Sequence, residues 1–311
     1  MQYRLRLAAM WATTVLSATL VGLLLGLIVF APFVCAVIGA AFGIGYWAFA
    51  CWAADRFPLD AYDAQMVDAS TSPNLYKAVA KLSTEAGIET PLLYSLPYGP
   101  ANAFVVARTD RSSAIVLSNA LMKSLDHDEV RSILALMVAR IAESDAAACS
   151  IASTLAGIPF YCICHPSFRG LIRDKIKVDP ASGLTWLEKA LISLYTPMTM
   201  LTLRIAFDAT LLKRADATAV RLTGASSTFA SALTKIEREK PNEWWGNTAF
   251  NPATGILFAV SPLVYTDSMA STNPYLLKSQ QAFTASMPTV ETRLATLMMG
   301  EPEAPPTAVP A

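Results

Sequence analysis

Charge is what this chain has least of. Lys, Arg, Asp and Glu make up 15% of its 311 residues, where soluble domains carry roughly a quarter. The charges that exist cancel, and a net charge of zero gives no electrostatic footprint for a nucleic-acid partner. Histidine is nearly missing: His127 and His165 are the only two. The five cysteines, Cys35, Cys51, Cys149, Cys162 and Cys164, lie in or beside apolar stretches. That placement reads as small hydrophobes in a reducing or lipid setting, not as a disulfide framework. There is no Gly-x-Ser-x-Gly elbow and no second His beside a nucleophile, which leaves serine and cysteine hydrolase chemistry without its parts. Internal repeats are absent as well.

What the chain has instead is apolar length. Residues 8–30 and 34–54 carry no charge, and only 31–33 separate them. A bilayer core of ~30 Å needs about 20 helical residues, so both segments are long enough to span, joined as a tight hairpin. The uncharged run is too long for a cleaved signal peptide, and a second span follows at once. Arg4 and Arg6 precede the hairpin and Arg56 follows it. Basic flanks face the cytoplasm, which predicts a multi-pass protein of the bacterial-type inner (plasma) membrane with its globular part on the cytoplasmic side. Trp52, beside the charged exit, reads as an interface anchor. Two further apolar stretches, 146–164 and 190–205, contain Pro159 and Pro197 and flank a basic loop with Arg169, Arg173, Lys175 and Lys177. Whether they span is left open by the sequence, because such a loop would lie outside against the charge bias.

The remainder reads as one α+β unit. After a polar connector, Ser72-Pro73 starts a helix that Gly87 stops. Residues 91–96, 101–107 and 113–117 read as strands. Asp126 with Glu129 three residues on is a capping-box start, and the helix behind it is apolar on nearly every face, hence buried. Helices over 207–222, 227–240 and 290–299 follow, and the proline-rich 301–311 reads as a disordered tail. The division expected is a hairpin at 1–56, a domain in two parts at 57–145 and 208–300, an apolar helical pair with its basic loop at 146–207, and the tail.

Several short motifs occur in an order that resembles a known family. They are Asn102-Ala103-Phe104, Leu117-Ser118-Asn119-Ala120-Leu121 followed by Asp128-Glu129, Ala215-Asp216 with Leu222-Thr223-Gly224, Asn251-Pro252-Ala253-Thr254, and Pro288 with Glu291 and Arg293. Together with the N-terminal hairpin they resemble the HtpX-type membrane zinc metallopeptidases over nearly the whole chain. The resemblance implies a zincin-like, mainly helical domain with a small sheet on a transmembrane hairpin. It also implies that Asn102, Ala103 and Phe104 lie on a strand lining a substrate cleft, where peptides add as a further strand. The bland reading of the same residues is a core strand.

The departures from the family pattern fall on its chemistry. His-Glu-x-x-His on the buried helix would put two imidazoles on one face and a general base between them. Here Leu136, Met137 and Arg140 stand at those positions, and Leu212 at the third ligand's. Two further family histidines correspond to Ile256 and Met287. His127 reads as a solvated helix start, and Cys162-x-Cys164-His165 as an ordinary segment end. The expectation is therefore no metal and no cofactor in a family that uses zinc, and a non-catalytic homologue that binds membrane-protein segments or regulates a partner protease. An active metallopeptidase with a relocated metal site and a purely structural membrane scaffold are the rivals. A guanidinium at position 140 needs a carboxylate if it is buried, and Asp216 or Glu143 is the expected partner.

Overall fold

The computed structural model describes residues 2–109, 112–164, 176–179, 184–207, 209–239, 252–262 and 287–299. The tail, His165, Asn251 and most of the basic loop lie outside them.

Two long helices, α1 (Gln2–Ile28) and α2 (Pro32–Ala53), form the hairpin, and both are long and apolar enough to cross a membrane. Pro32 starts α2 at a position that needs no N–H. The two backbones touch because the seam is built of small residues. A Cβ on Gly22 would lie 2.3 Å from the Cys35 carbonyl oxygen, and one on Gly39 2.4 Å from that of Ala18. Without a hydrophobic drive inside lipid, such close packing is what holds helices together.

The connector contains more structure than its polarity suggests: a short helix α3 (Arg56–Ala61) and a two-residue strand β1 (Gln65–Met66). Then come α4 (Pro73–Ala86), closed by Gly87 at φ 71°, and the strands β2 (Leu92–Leu96), β3 (Ala103–Thr109) and β4 (Ser112–Ser118). The sheet order is β1-β2-β4-β3, with β2 and β4 parallel and the other pairs antiparallel. After α5 (Asn119–Ser124), α6 (His127–Ala142) opens with the expected capping box: Asp126 accepts from the backbone of Asp128 and Glu129, and Glu129 accepts from Asp126.

The apolar stretches at 146–164 and 190–205 are helices, α7 (Asp145–Cys164) and α8 (Trp186–Ala206), joined in part by a small ribbon of β5 (Val178–Asp179) and β6 (Leu184–Thr185). Among the described residues the candidate membrane spans are α1 and α2, and residues 145–157 of α7 are buried by protein. The domain closes with α9 (Ala209–Thr223), α10 (Ser226–Arg238), a 3-10 turn (Pro252–Leu257) and α11 (Val290–Met299).

The sheet is buried on both faces, and the two-residue period of a strand sorts its side chains. Ala103, Val105, Ile115 and Leu117 join α4, α6, α9 and α10 in one core. Phe104, Val106, Ala114 and Val116 join Met10 of α1, Ala148 and Ala152 of α7 and Leu203 of α8 in the other. The second core ties the domain directly to the base of the hairpin.

Candidate functional site

Several positions that the resemblance singled out meet. A cavity of about 20 Å³, room for about one water, is lined by Arg140 of α6, Leu212 of α9, Ile256 and Phe258 of the late loop, and Met287 and Arg293 around the start of α11. Arg140, Leu212, Ile256 and Met287 are four of the positions singled out in the sequence. Leu136 and Met137 are buried one turn earlier on α6.

Arg140 is fully buried, and all five of its N–H groups have acceptors. Nε and Nη2 donate to one carboxylate oxygen of Asp145 at 3.0 Å each; Nη2 also donates to Ile256 O at 2.8 Å, and Nη1 to Leu257 O at 2.7 Å and Phe258 O at 3.4 Å. Burial works against the charge, but the adjacent Asp145 outweighs it and the guanidinium is held above its ordinary pKa. It is cationic at every ordinary pH. Cys149 donates its thiol to the other Asp145 oxygen at 3.4 Å.

The pairing expected from sequence is therefore corrected. Glu143 lies at the C-terminal end of α6, half-buried, and makes no bond to Arg140. The chain turns at Ser144, which takes φ 55°, and delivers Asp145 back beneath Arg140 as the first residue of α7. Asp216 is occupied by a different cation: Arg293 donates to its two oxygens at 2.8 and 2.6 Å, and to Ala259 O at 2.6 Å. Two buried arginines, each neutralised by its own aspartate, thus hold the carbonyls of residues 256–259 from α6 and from α11.

That segment covers the edge of the sheet. Ala259 N donates to Ala103 O at 2.7 Å, Phe258 bridges Phe104, and Asn102 Nδ2 donates to Val260 O at 2.8 Å. Farther along β3, Ala107 N donates to Ser150 Oγ of α7 at 3.0 Å. Phe104 stacks among Tyr62 and Phe258, and the Tyr62 hydroxyl bonds that of Thr254. Asn102, Ala103 and Phe104, the residues expected to line a cleft, are buried, and residues 258–260 of the same chain lie along their outer edge. His127 stands at the first position of α6, far from the cavity end.

Sequence reasoning missed Asp145 and the role of Arg293. Asp145 carried a signal, because with Glu143 two residues before it a carboxylate stands at the mouth of an uncharged run. The left-handed turn at Ser144 that aims it backwards did not.

The family described as Peptidase family M48 matches residues 69–299. A protein named Protease HtpX homolog from Acidiphilium cryptum is 31% identical over 245 residues, 77% of this chain and 83% of that protein. Proteins of the same name from Acaryochloris marina and Thermococcus kodakarensis are 30% and 28% identical, covering 83% and 81% of this chain and 89% and 87% of theirs. No solved structure matches. These matches correct the expectation of a cofactor-free protein, because the family points to zinc. The donor set at this cavity does not fit that metal. Among the described residues no three of His, Cys, Asp and Glu come together, and the carboxylates that reach the lining arginines are committed to them.

Proposed function

The chain belongs to peptidase family M48, and on that premise we propose that it is a membrane-held member without peptidase chemistry at the family's position, acting on membrane-protein partners by contact. The observation that carries the reading is Arg140. A saturated cation fills the helix face from which a water would be activated, with Met137 where a general base would stand. The covered edge of β3 supports regulation or scaffolding over capture of peptides as an added strand. Full-length protein in detergent, offered unfolded casein and a membrane-protein reporter, is expected to release no fragments. Cleavage that follows the chain through two orthogonal purification steps overturns the reading.

The same proposal includes a multi-pass arrangement with the domain cytoplasmic. Supporting it, Tyr46 of α2 donates to Leu155 O of α7 at 2.6 Å, so α7 runs beside the hairpin. Arg6 donates to Ala206 O at 3.3 Å, so α8 ends at the base of α1 and its start points the other way. A cysteine introduced at exposed Lys177 is expected to react with an impermeant reagent from outside. One at exposed Lys81 should react only after permeabilisation, and the reverse pattern refutes the topology.

A further inference from the structure

We propose that Tyr46 is a latch through which the hairpin sets the closure of the cavity and of the sheet edge, with α7 as the strut between them. The device starts from a defect in α7. Pro159 lies inside that helix and has no N–H, so the carbonyl of Leu155, four residues back, lacks the donor that position 159 would supply. Tyr46 of α2 supplies one instead, its hydroxyl donating to Leu155 O at 2.6 Å. Phe42 stacks on the Tyr46 ring, with 6.0 Å between centroids, and Ala50 and Ala54 pack on Ile151 and Leu155. A carbonyl without a partner is costly where water is excluded, so α7 is tied to the hairpin at the place where its own ladder is interrupted. The latch works in the same way whatever chemistry the cavity performs.

Toward the domain α7 is tied twice more, each tie about 7.5 Å farther along its axis. Ser150 Oγ accepts from Ala107 N of β3 at 3.0 Å. Asp145 accepts from Arg140, which in turn donates to the carbonyls of residues 256–258. Between these ties Ala148, Cys149 and Ala152 share a core with Ala253, Ile256 and Leu257. A helix is stiff over so few turns, so a shift of α7 against the hairpin moves all three contacts together. The present seating of α7 also leaves one group unsatisfied. Ser150 and Thr154 return their hydroxyls to carbonyls of their own helix at 2.7 and 2.9 Å, whereas Ser153 Oγ is buried with no partner among the described residues. A buried orphan hydroxyl is a strained contact, and a second seating of α7 that pairs it would be favoured once Tyr46 lets go.

Hydrogen exchange of the full chain in lipid nanodiscs, read by mass spectrometry, tests the latch. Tyr46→Phe keeps the ring and removes the bond. Exchange at Ala107 and at residues 259–260 is expected to rise about two- to five-fold, as for the loss of one hydrogen bond, while residues 229–236 of α10 stay unchanged. Adding Pro159→Ala returns a helical donor to Leu155 O but not the tie to α2, so the raised exchange at 259–260 should persist in the double variant. No change at 107 and 259–260 in Tyr46→Phe, or a rise that reaches 229–236 equally, overturns the latch. Recovery in the double variant overturns it too, because the satisfied carbonyl and not the tie would then set the closure.

Discussion

Asp145→Ala is the sharpest test of the site. It removes the acceptor of two of the five N–H bonds of Arg140, both at 3.0 Å, and leaves the carbonyls of residues 256–258 as the only partners. The two side chains are 0% and 1% exposed, so water does not replace the lost carboxylate. Breaking a buried pair from one side costs about 3–5 kcal/mol. At about 2–4 °C per kcal/mol for a domain of this size, the melting temperature of the full chain in detergent should fall by about 6–20 °C, followed by tryptophan fluorescence. Arg140→Met in the same background removes the stranded cation, so the double variant should melt above Asp145→Ala. The two changes should couple by about 1.5 kcal/mol or more. Glu143→Ala should change stability by no more than about 0.5 kcal/mol. A drop below about 2 °C in Asp145→Ala, or strict additivity with Arg140→Met, refutes the reasoning.

Other outcomes follow from the same geometry. Glu129 is pushed up by burial, but hydrogen bonds from Lys235, Ser231 and the Asp126 N–H, with the charge of Lys235, outweigh that and hold it below the usual carboxylate range. A lowered folded pKa gives stability that is present above the unfolded value of ~4.3 and lost as pH falls through the folded one. Glu129→Gln should therefore melt lower than the parent at pH 7, and the gap should close as pH falls below about 4; a constant gap refutes this. Gly22→Leu, whose side chain would meet the Cys35 carbonyl, should cost about 1–3 kcal/mol or more. Gly45→Leu, with nothing within 4 Å, should be nearly neutral, and equal losses would argue against the tight seam. Asn102→Ala removes the bond to Val260 O and should speed amide exchange at residues 259–260; unchanged protection there contradicts the closed edge.

The cavity shows how far local reasoning reaches. Arg140, Leu212, Ile256 and Met287 could be placed at one site from spacing and resemblance, and they do line one cavity. Their partners could not be read the same way. On a continuous helix Glu143 is one turn from Arg140, so local geometry favours it. The chain is not continuous there, because Ser144 at φ 55° ends α6 and reverses Asp145. Asp216 has the right type and face, but Arg293, distant in sequence, reaches it first with two bonds.

By itself the sequence determined the hairpin, the helix boundary at Gly87, the capping box at Asp126 and the three strands, because uncharged length, a left-handed glycine and short-range side-chain bonds act within a few residues. The resemblance singled out Leu136, Met137, Arg140 and Leu212. Only the tertiary structure decided that Asp145 neutralises Arg140 and that residues 258–260 lie along the edge of the sheet at Phe104. Those outcomes depend on which of several chemically equivalent partners is brought near by packing of distant segments. A buried charge selects its counter-ion by what the fold places within hydrogen-bond reach, not by what stands near it in the chain.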